Sequence, residues 1–189
     1  VNWQRIKTGR AKLRFVPTER LTLDLSYWKY KGHSPAGFDW AYEDMSIDSF
    51  YDVHNEWDSG SLTAQYEFDG SQLLYVYSDG GLWRNLSGVI GGTLDYSGTT
   101  DIKVRTNEVR WVSTGDRKVD WTIGYYLRTA ERNDTTEYEG WDPSNSSYQN
   151  DSFSVFGEAT WHISQKWAAT LGLRYFEDKV DAMDATATQ

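Results

Sequence analysis

The chain contains no cysteine among its 189 residues, so neither a disulfide framework nor a thiolate metal site is available. It has no run of about 18 apolar residues, which excludes a transmembrane helix. It does not open with the basic-then-apolar pattern of a secretory leader. Basic residues are scarce, 19 Lys and Arg against 28 Asp and Glu, and the net charge of −9 argues against a nucleic-acid partner. His33, His54 and His162 are scattered and offer no i, i+4 helical pair, so no zinc site is expected. No Ser/His/Asp arrangement, G-x-S-x-G motif or phosphate-cradling glycine loop stands out. Gly88, Gly91, Gly92 and Gly98 precede no helical pattern and read as loop flexibility. The chain is therefore expected to be neither an enzyme nor the holder of a cofactor. Aromatic residues, by contrast, are abundant: 16%, with 10 Trp and 13 Tyr, at a mean hydropathy of −0.69. That combination excludes a helical membrane protein. It suits a membrane barrel, whose strands expose only alternate residues to lipid.

The residues that are present alternate. In FSVFGEATWHISQKWAATLGLRYFED (153–178), the odd positions run Phe153, Val155, Gly157, Ala159, Trp161 and Ile163, then Trp167, Ala169, Leu171, Leu173 and Tyr175. A period of two on either side of a short polar break describes an antiparallel hairpin. The pattern recurs about Pro17–Arg20, about Asp69-Gly70-Ser71 and about Gly115–Lys118. Eight strands follow, at about 8–16, 20–31, 59–68, 72–82, 104–114, 119–130, 152–163 and 167–178, in nearest-neighbour antiparallel order. The strand over 72–82 has apolar residues at both parities, which leaves its facing open.

Strands of 9–12 residues match a tilted crossing of a bilayer and exceed the five or six usual in soluble proteins. Between the hairpins lie longer segments, 32–58, 84–102 and 131–151, which read as loops. Short turns alternating with long loops are the mark of an up-and-down membrane barrel. The aromatics agree. Trp161 and Trp167 flank the short turn, and Phe153 and Tyr175 stand eight residues away on the same strands. At about 3.3 Å per residue and a tilt near 40°, that is roughly 20 Å along the membrane normal. An apolar band of about 25 Å with an aromatic girdle at each rim has these dimensions. Leu21, Leu23, Leu25, Trp121, Ile123, Trp161, Leu171 and Leu173 are then expected to face outward and stay exposed.

At the level of motifs, FSVFGEATWHISQKWAATLGLRYFED resembles a strand pair of the TonB-dependent outer-membrane receptors, with its phenylalanine-glycine-glutamate strand followed by GLRY. TNEVRWVST and VDWTIGYYL resemble the preceding hairpin, with Glu108 and Arg110 on a recurring Glu-apolar-Arg element. LRFVPTERLTLDLSY resembles an earlier hairpin. The resemblance implies an all-β, antiparallel up-and-down transmembrane β-barrel segment, about eight strands of a 22-stranded barrel. Residues 1–189 would form one partial barrel domain of four hairpins with no plug domain, a fragment without transport activity of its own. It also implies a bacterial outer-membrane location and energised uptake of a scarce nutrient such as a ferric siderophore. The implied partners are outer-membrane lipid, a small nutrient ligand such as a metal chelate, and the TonB system through the missing plug region.

Two sets of residues are candidates for function. Glu108, Arg110, Arg128, Glu158 and Arg174, with Arg14, Asp24 and Glu67, sit on the polar parity and are expected to face the lumen. They read either as a mutually paired wall, the norm for barrels, or as a substrate path. Trp40, Tyr42, Trp141 and Tyr148, with Phe38, are loop aromatics that either stack on a ligand at the barrel mouth or pack on one another. The seven acidic residues of 32–58, with no Lys or Arg among them, lack calcium-loop spacing and read as solvated charge. Two other architectures compete: a complete small eight-stranded outer-membrane barrel, and a soluble all-β module such as a propeller or carbohydrate-binding sandwich.

Overall fold

A computed structural model describes the backbone over residues 3–42, 45–90 and 93–185, and side chains there except at 36–50 and 184–185. It contains eight strands: β1 (Arg5–Thr18), β2 (Leu21–Tyr42), β3 (Met45–Phe68), β4 (Ser71–Ile90), β5 (Leu94–Ser113), β6 (Val119–Tyr138), β7 (Ser144–Ser164) and β8 (Trp167–Ala185). They form one antiparallel sheet in sequence order, β1 through β8. No helix interrupts them among the described residues. This is the expected up-and-down architecture. Because the sheet is a single layer, a sandwich is excluded, and so is a propeller of four-stranded blades.

The hairpin turns fall where the sequence places them. The chain reverses at Asp69-Gly70, where Gly70 adopts a φ of 83°, and again about Gly115, also at 83°. Only glycine takes that conformation without a steric penalty. Pro17 lies within β1 at a register shift between Phe15 and Thr18. An irregularity on an outermost strand is where a residue without an N–H is tolerated.

Over their described residues the segments 32–58, 84–102 and 131–151 are strand rather than loop, apart from the turns at Thr93 and at 139–143. They continue the strands, so the eight run 14 to 24 residues, and Pro35 pairs with Asp52 while Thr100 pairs with Asp134. Gly88 and Gly98 lie inside β4 and β5 rather than in flexible loop; Gly91 and Gly92 fall outside the described residues. The physical reason is that hydrophobic alternation stops where both faces meet water, whereas backbone pairing does not. A strand of 24 residues rises about 60 Å along the normal at a 40° tilt, far more than the 25 Å apolar band. The sheet therefore extends well beyond the membrane on the side away from the short turns.

Residues paired across an antiparallel ladder share a face, so the register can be followed from strand to strand. One row runs Leu21, Tyr66, Leu73, Trp111, Ile123, Gly157, Leu173. The eight residues expected to face outward all belong to this face. They are exposed or half-buried, from Leu21 and Trp121 to Leu171 at 72% and Leu173 at 76%. The same register assigns β4, which alternation had left open: Leu73, Tyr75 and Tyr77 join the apolar face, Leu74 and Val76 the other. Val53 is the one buried hydrophobic residue among those described. The chain exposes 13957 Å², whereas a compact protein of its mass would expose about 9,000 Å². A sheet without a core needs lipid as the solvent for its apolar face.

Candidate functional site

The opposite face is polar, and its charges meet at positions that register dictates. Arg14 pairs with Asp24 across β1 and β2, donating from Nε at 2.7 Å and Nη2 at 3.0 Å. Glu108 and Arg110 stand two apart on β5 and form an ion pair with each other. Arg128 donates to Asn150 Oδ1 at 2.6 Å. Asn150 in turn donates to Asp178 at 2.8 Å, and Ser152 donates to the same carboxylate at 2.6 Å. Arg174 donates to the buried Ser154 hydroxyl at 3.1 Å. Glu158 lies on this face opposite Thr122 and Gly172. The five polar-parity residues Glu108, Arg110, Arg128, Glu158 and Arg174 are thus brought to one surface, largely satisfied by neighbours.

Aromatic rings lie over glycines on this face. At Gly124 a Cβ would meet Phe156 Cζ at 2.5 Å and the Val109 carbonyl at 2.7 Å. At Gly98 it would collide with the Tyr96 hydroxyl. Each glycine gives its neighbour's ring room to lie along the sheet, a common device in curved sheets.

Toward the far end, beyond the membrane band, the polar face changes character. Tyr51, Gly88, Tyr96 and Tyr138 form one row across β3 to β6. The Tyr96 ring lies 5.2 Å from that of Tyr138 and 6.1 Å from that of Tyr51. Next to them a depression of about 300 Å³ is lined by Arg84, Tyr96, Thr100, Arg132 and Asp134, among others. Arg132 grips Asp134 from Nε at 2.6 Å and Nη2 at 3.2 Å, and Thr100 donates to the same carboxylate at 2.6 Å. Burial works against the charge on Asp134, but the hydrogen bonds from Arg132 and Thr100 prevail and hold its carboxyl below the usual range. Burial, reinforced by Tyr138 and Tyr51, raises the Tyr96 phenol, so it remains a neutral hydroxyl at physiological pH.

Of the four aromatic candidates, Tyr148 lies not in a loop but on β7, paired with Arg132 on this same face. Trp141 occupies the turn between β6 and β7, 67% exposed. The backbone of Trp40 and Tyr42 belongs to the end of β2, opposite Ile47 and Met45; their side chains lie outside the described residues, as does that of Phe38. Tyr51, Arg84, Tyr96, Arg132 and Tyr138 were not anticipated, because their segments read as loop. The signal available was the spacing Tyr96-x-Gly98-x-Thr100, an alternation without apolar residues.

His33 and His54 are not scattered either. The register of β2 and β3 sets them directly opposite each other, with rings stacked at 3.9 Å.

A family model described as TonB dependent receptor-like, beta-barrel, matches residues 6–189. Among solved structures, the ferric yersiniabactin uptake receptor FyuA from Yersinia pestis superposes with a TM-score of 0.75 at 18% identity, over 95% of this chain and 30% of that one. The ferric citrate transporter FecA gives 0.72 at 15% identity, over 96% of this chain and 30% of its own. The ferric-catecholate import receptor Fiu from E. coli K12 gives 0.57 at 9% identity, over 100% and 45%. At these identities the likeness is one of fold. The chain spans about 30% of the length of the first two. No curated protein matches it. A single-layer, lipid-banded antiparallel sheet and a family match over nearly its whole length lead to one assignment: the chain belongs to the β-barrel family of the TonB-dependent receptors, proteins of the bacterial outer membrane.

Proposed function

We propose that this chain forms part of the barrel wall of a receptor for energised uptake of a small anionic metal chelate, of the ferric siderophore or ferric citrate type. The polar face lines the lumen, and the far strand ends, with the turn that holds Trp141, stand on the external side. The observation that supports this reading best is the patch of Tyr96, Tyr138, Tyr148, Arg84 and Arg132. Planar guanidinium groups hold carboxylate or catecholate oxygens by paired hydrogen bonds, and tyrosine rings give a flat, amphipathic platform with a donor at its edge. Arg84 makes no ion pair with the described residues, so its donors are available to a ligand. The charged residues nearer the short turns, Glu108, Arg110, Arg128, Glu158 and Arg174, serve as wall rather than as ligand contacts. The receptors with similar folds bear names that point to ferric yersiniabactin, ferric citrate and ferric catecholates. Coupling to TonB would run through parts of the receptor other than this wall. The role is binding and passage; no bond is made or broken by these residues.

Binding of radiolabelled ferric citrate and of a ferric catecholate to cells producing the full receptor tests the reading. Arg84→Ala with Arg132→Ala is expected to weaken binding of the accepted chelate at least tenfold while surface abundance holds. Undiminished binding by the double variant would remove the patch from the ligand path.

A further inference from the structure

We infer that His33, Asp52 and His54 form a binding site for a divalent transition-metal ion of the zinc type, outside the membrane band and on the opposite face from the tyrosine–arginine patch. Sequence spacing hides the site, because 21 positions separate the histidines. The β2–β3 register brings them together: His33 faces His54, and Asp52 stands two residues before His54 on the same side of β3. One ligand atom from each of the three lies within 4.8 Å of the other two. His33 Nε2 is 2.5 Å from Asp52 Oδ1, and His54 Nδ1 is 3.9 Å from Asp52 Oδ2. Ligands held at about 2.0–2.1 Å around a tetrahedral ion lie about 3.3 Å apart. The two distances bracket that value, so small side-chain rotations admit an ion in place of the His33–Asp52 hydrogen bond.

The donor set selects the class of ion. Two imidazoles and one carboxylate suit zinc, copper or nickel, whereas calcium and magnesium prefer oxygen throughout. The strands supply a rigid frame, and side-chain exposures of 31%, 49% and 44% leave the cluster open to solution. The Trp3 ring stands edge-on against His33 at 4.9 Å and fixes its orientation. Basic groups face the cluster from β1, with Arg5 and Lys7, and from β2 itself, with Lys31. Their repulsion is reduced by pairing: Lys31 binds Glu56 at 2.6 Å, and the Arg5 guanidinium lies over the Trp3 ring at 6.0 Å. Asn85 and Ser87 border it from β4 and add no charge.

The site lies clear of the lipid. On the outward parity of β2, Leu21, Leu23, Leu25 and Tyr27 give way to Lys29 and Lys31, and six residues separate His33 from Tyr27, about 15 Å along the normal at a 40° tilt. An ion here would clamp β2 to β3 in the part of the hairpin that has no lipid contact.

Equilibrium dialysis of tag-free protein, extracted from outer membranes in mild detergent, against zinc chloride is the test. One saturable zinc per chain is expected, with His33→Gln, Asp52→Asn and His54→Gln each weakening it at least tenfold and Lys31→Ala leaving it in place. Zinc-edge X-ray absorption of the unmodified protein, which needs no variant to fold, should show two imidazoles in the first coordination sphere. No saturable zinc in the unmodified protein, undiminished binding by the His33→Gln/His54→Gln variant, or a spectrum without imidazole would overturn the site.

Discussion

Asp134 concentrates the chemistry of the far polar wall in one carboxylate. Arg132 and Thr100 both donate to it, and its folded pKa falls below the unfolded value near 3.9. A depressed acid contributes stability that is present above the unfolded pKa and is lost as pH falls through the folded one. The expected consequence is that a carbon-13 carboxyl titration of Asp134 has its midpoint below that of an unpaired aspartate. Arg132→Ala should move that midpoint upward, because burial then acts with less to oppose it. An unchanged midpoint would mean the ion pair seen here does not persist in solution. Below the midpoint Arg132 loses its anionic partner, which frees the guanidinium for a ligand.

A strand can be ruled by its smallest residue. Gly124 lies in β6 between Val109 and Phe156, and a methyl group there would press on a backbone oxygen as well as on a ring. The ring can turn; the carbonyl belongs to the ladder and cannot move without breaking a strand pair. Gly124→Ala is therefore expected to destabilise the sheet by about 1–3 kcal/mol, the usual cost of overpacking. Urea unfolding in detergent micelles measures it. Adding Phe156→Ala should restore only part of the loss, since the Val109 oxygen remains. Full restoration would show that the ring alone demanded the glycine. Gly157, whose nearest neighbour to an added Cβ stands at 3.6 Å, has no such conflict, so composition alone would have ranked the two glycines equally.

Across the whole sheet, the apolar face divides into a lipid-facing band and a wetted extension. On β8 the division can be tested within one strand and one face, because Leu171 and Met183 share parity and are 72% and 73% exposed. Leu171 lies midway between Trp167 and Tyr175; Met183 lies eight residues past Tyr175. Leu171→Arg is expected to cost about 2–4 kcal/mol in lipid, and Met183→Arg about 0–1 kcal/mol. Folding equilibria in bilayer vesicles provide the measurement. Equal costs would mean that the band is misplaced. Outward charges begin where the band ends, in pairs such as Arg105 with Asp79 at 3.0 Å and Lys179 with Asp181 at 2.9 Å.

Inside the band, hydrophobic alternation was enough to specify strands, turns and facing, because lipid on one side and water on the other force a period of two. Gly70 and Gly115 marked their turns for an equally local reason, the positive φ each turn requires. Outside the band that forcing disappears. Water on both faces accepts any residue, so 84–102 and 131–151 read as loops although Thr100, Asp134 and their neighbours are paired strand. Facing on β4 is the exception inside the band, since apolar residues stand at both parities from Leu73 to Tyr77. Only the ladder to Tyr66 on one side and Trp111 on the other decided it. The tyrosine–arginine patch and the His33–His54 pair were decided there too. Contacts between positions far apart in the chain, such as His33 with His54 or Tyr96 with Tyr138, depend on register, which is a property of paired strands and not of any single one.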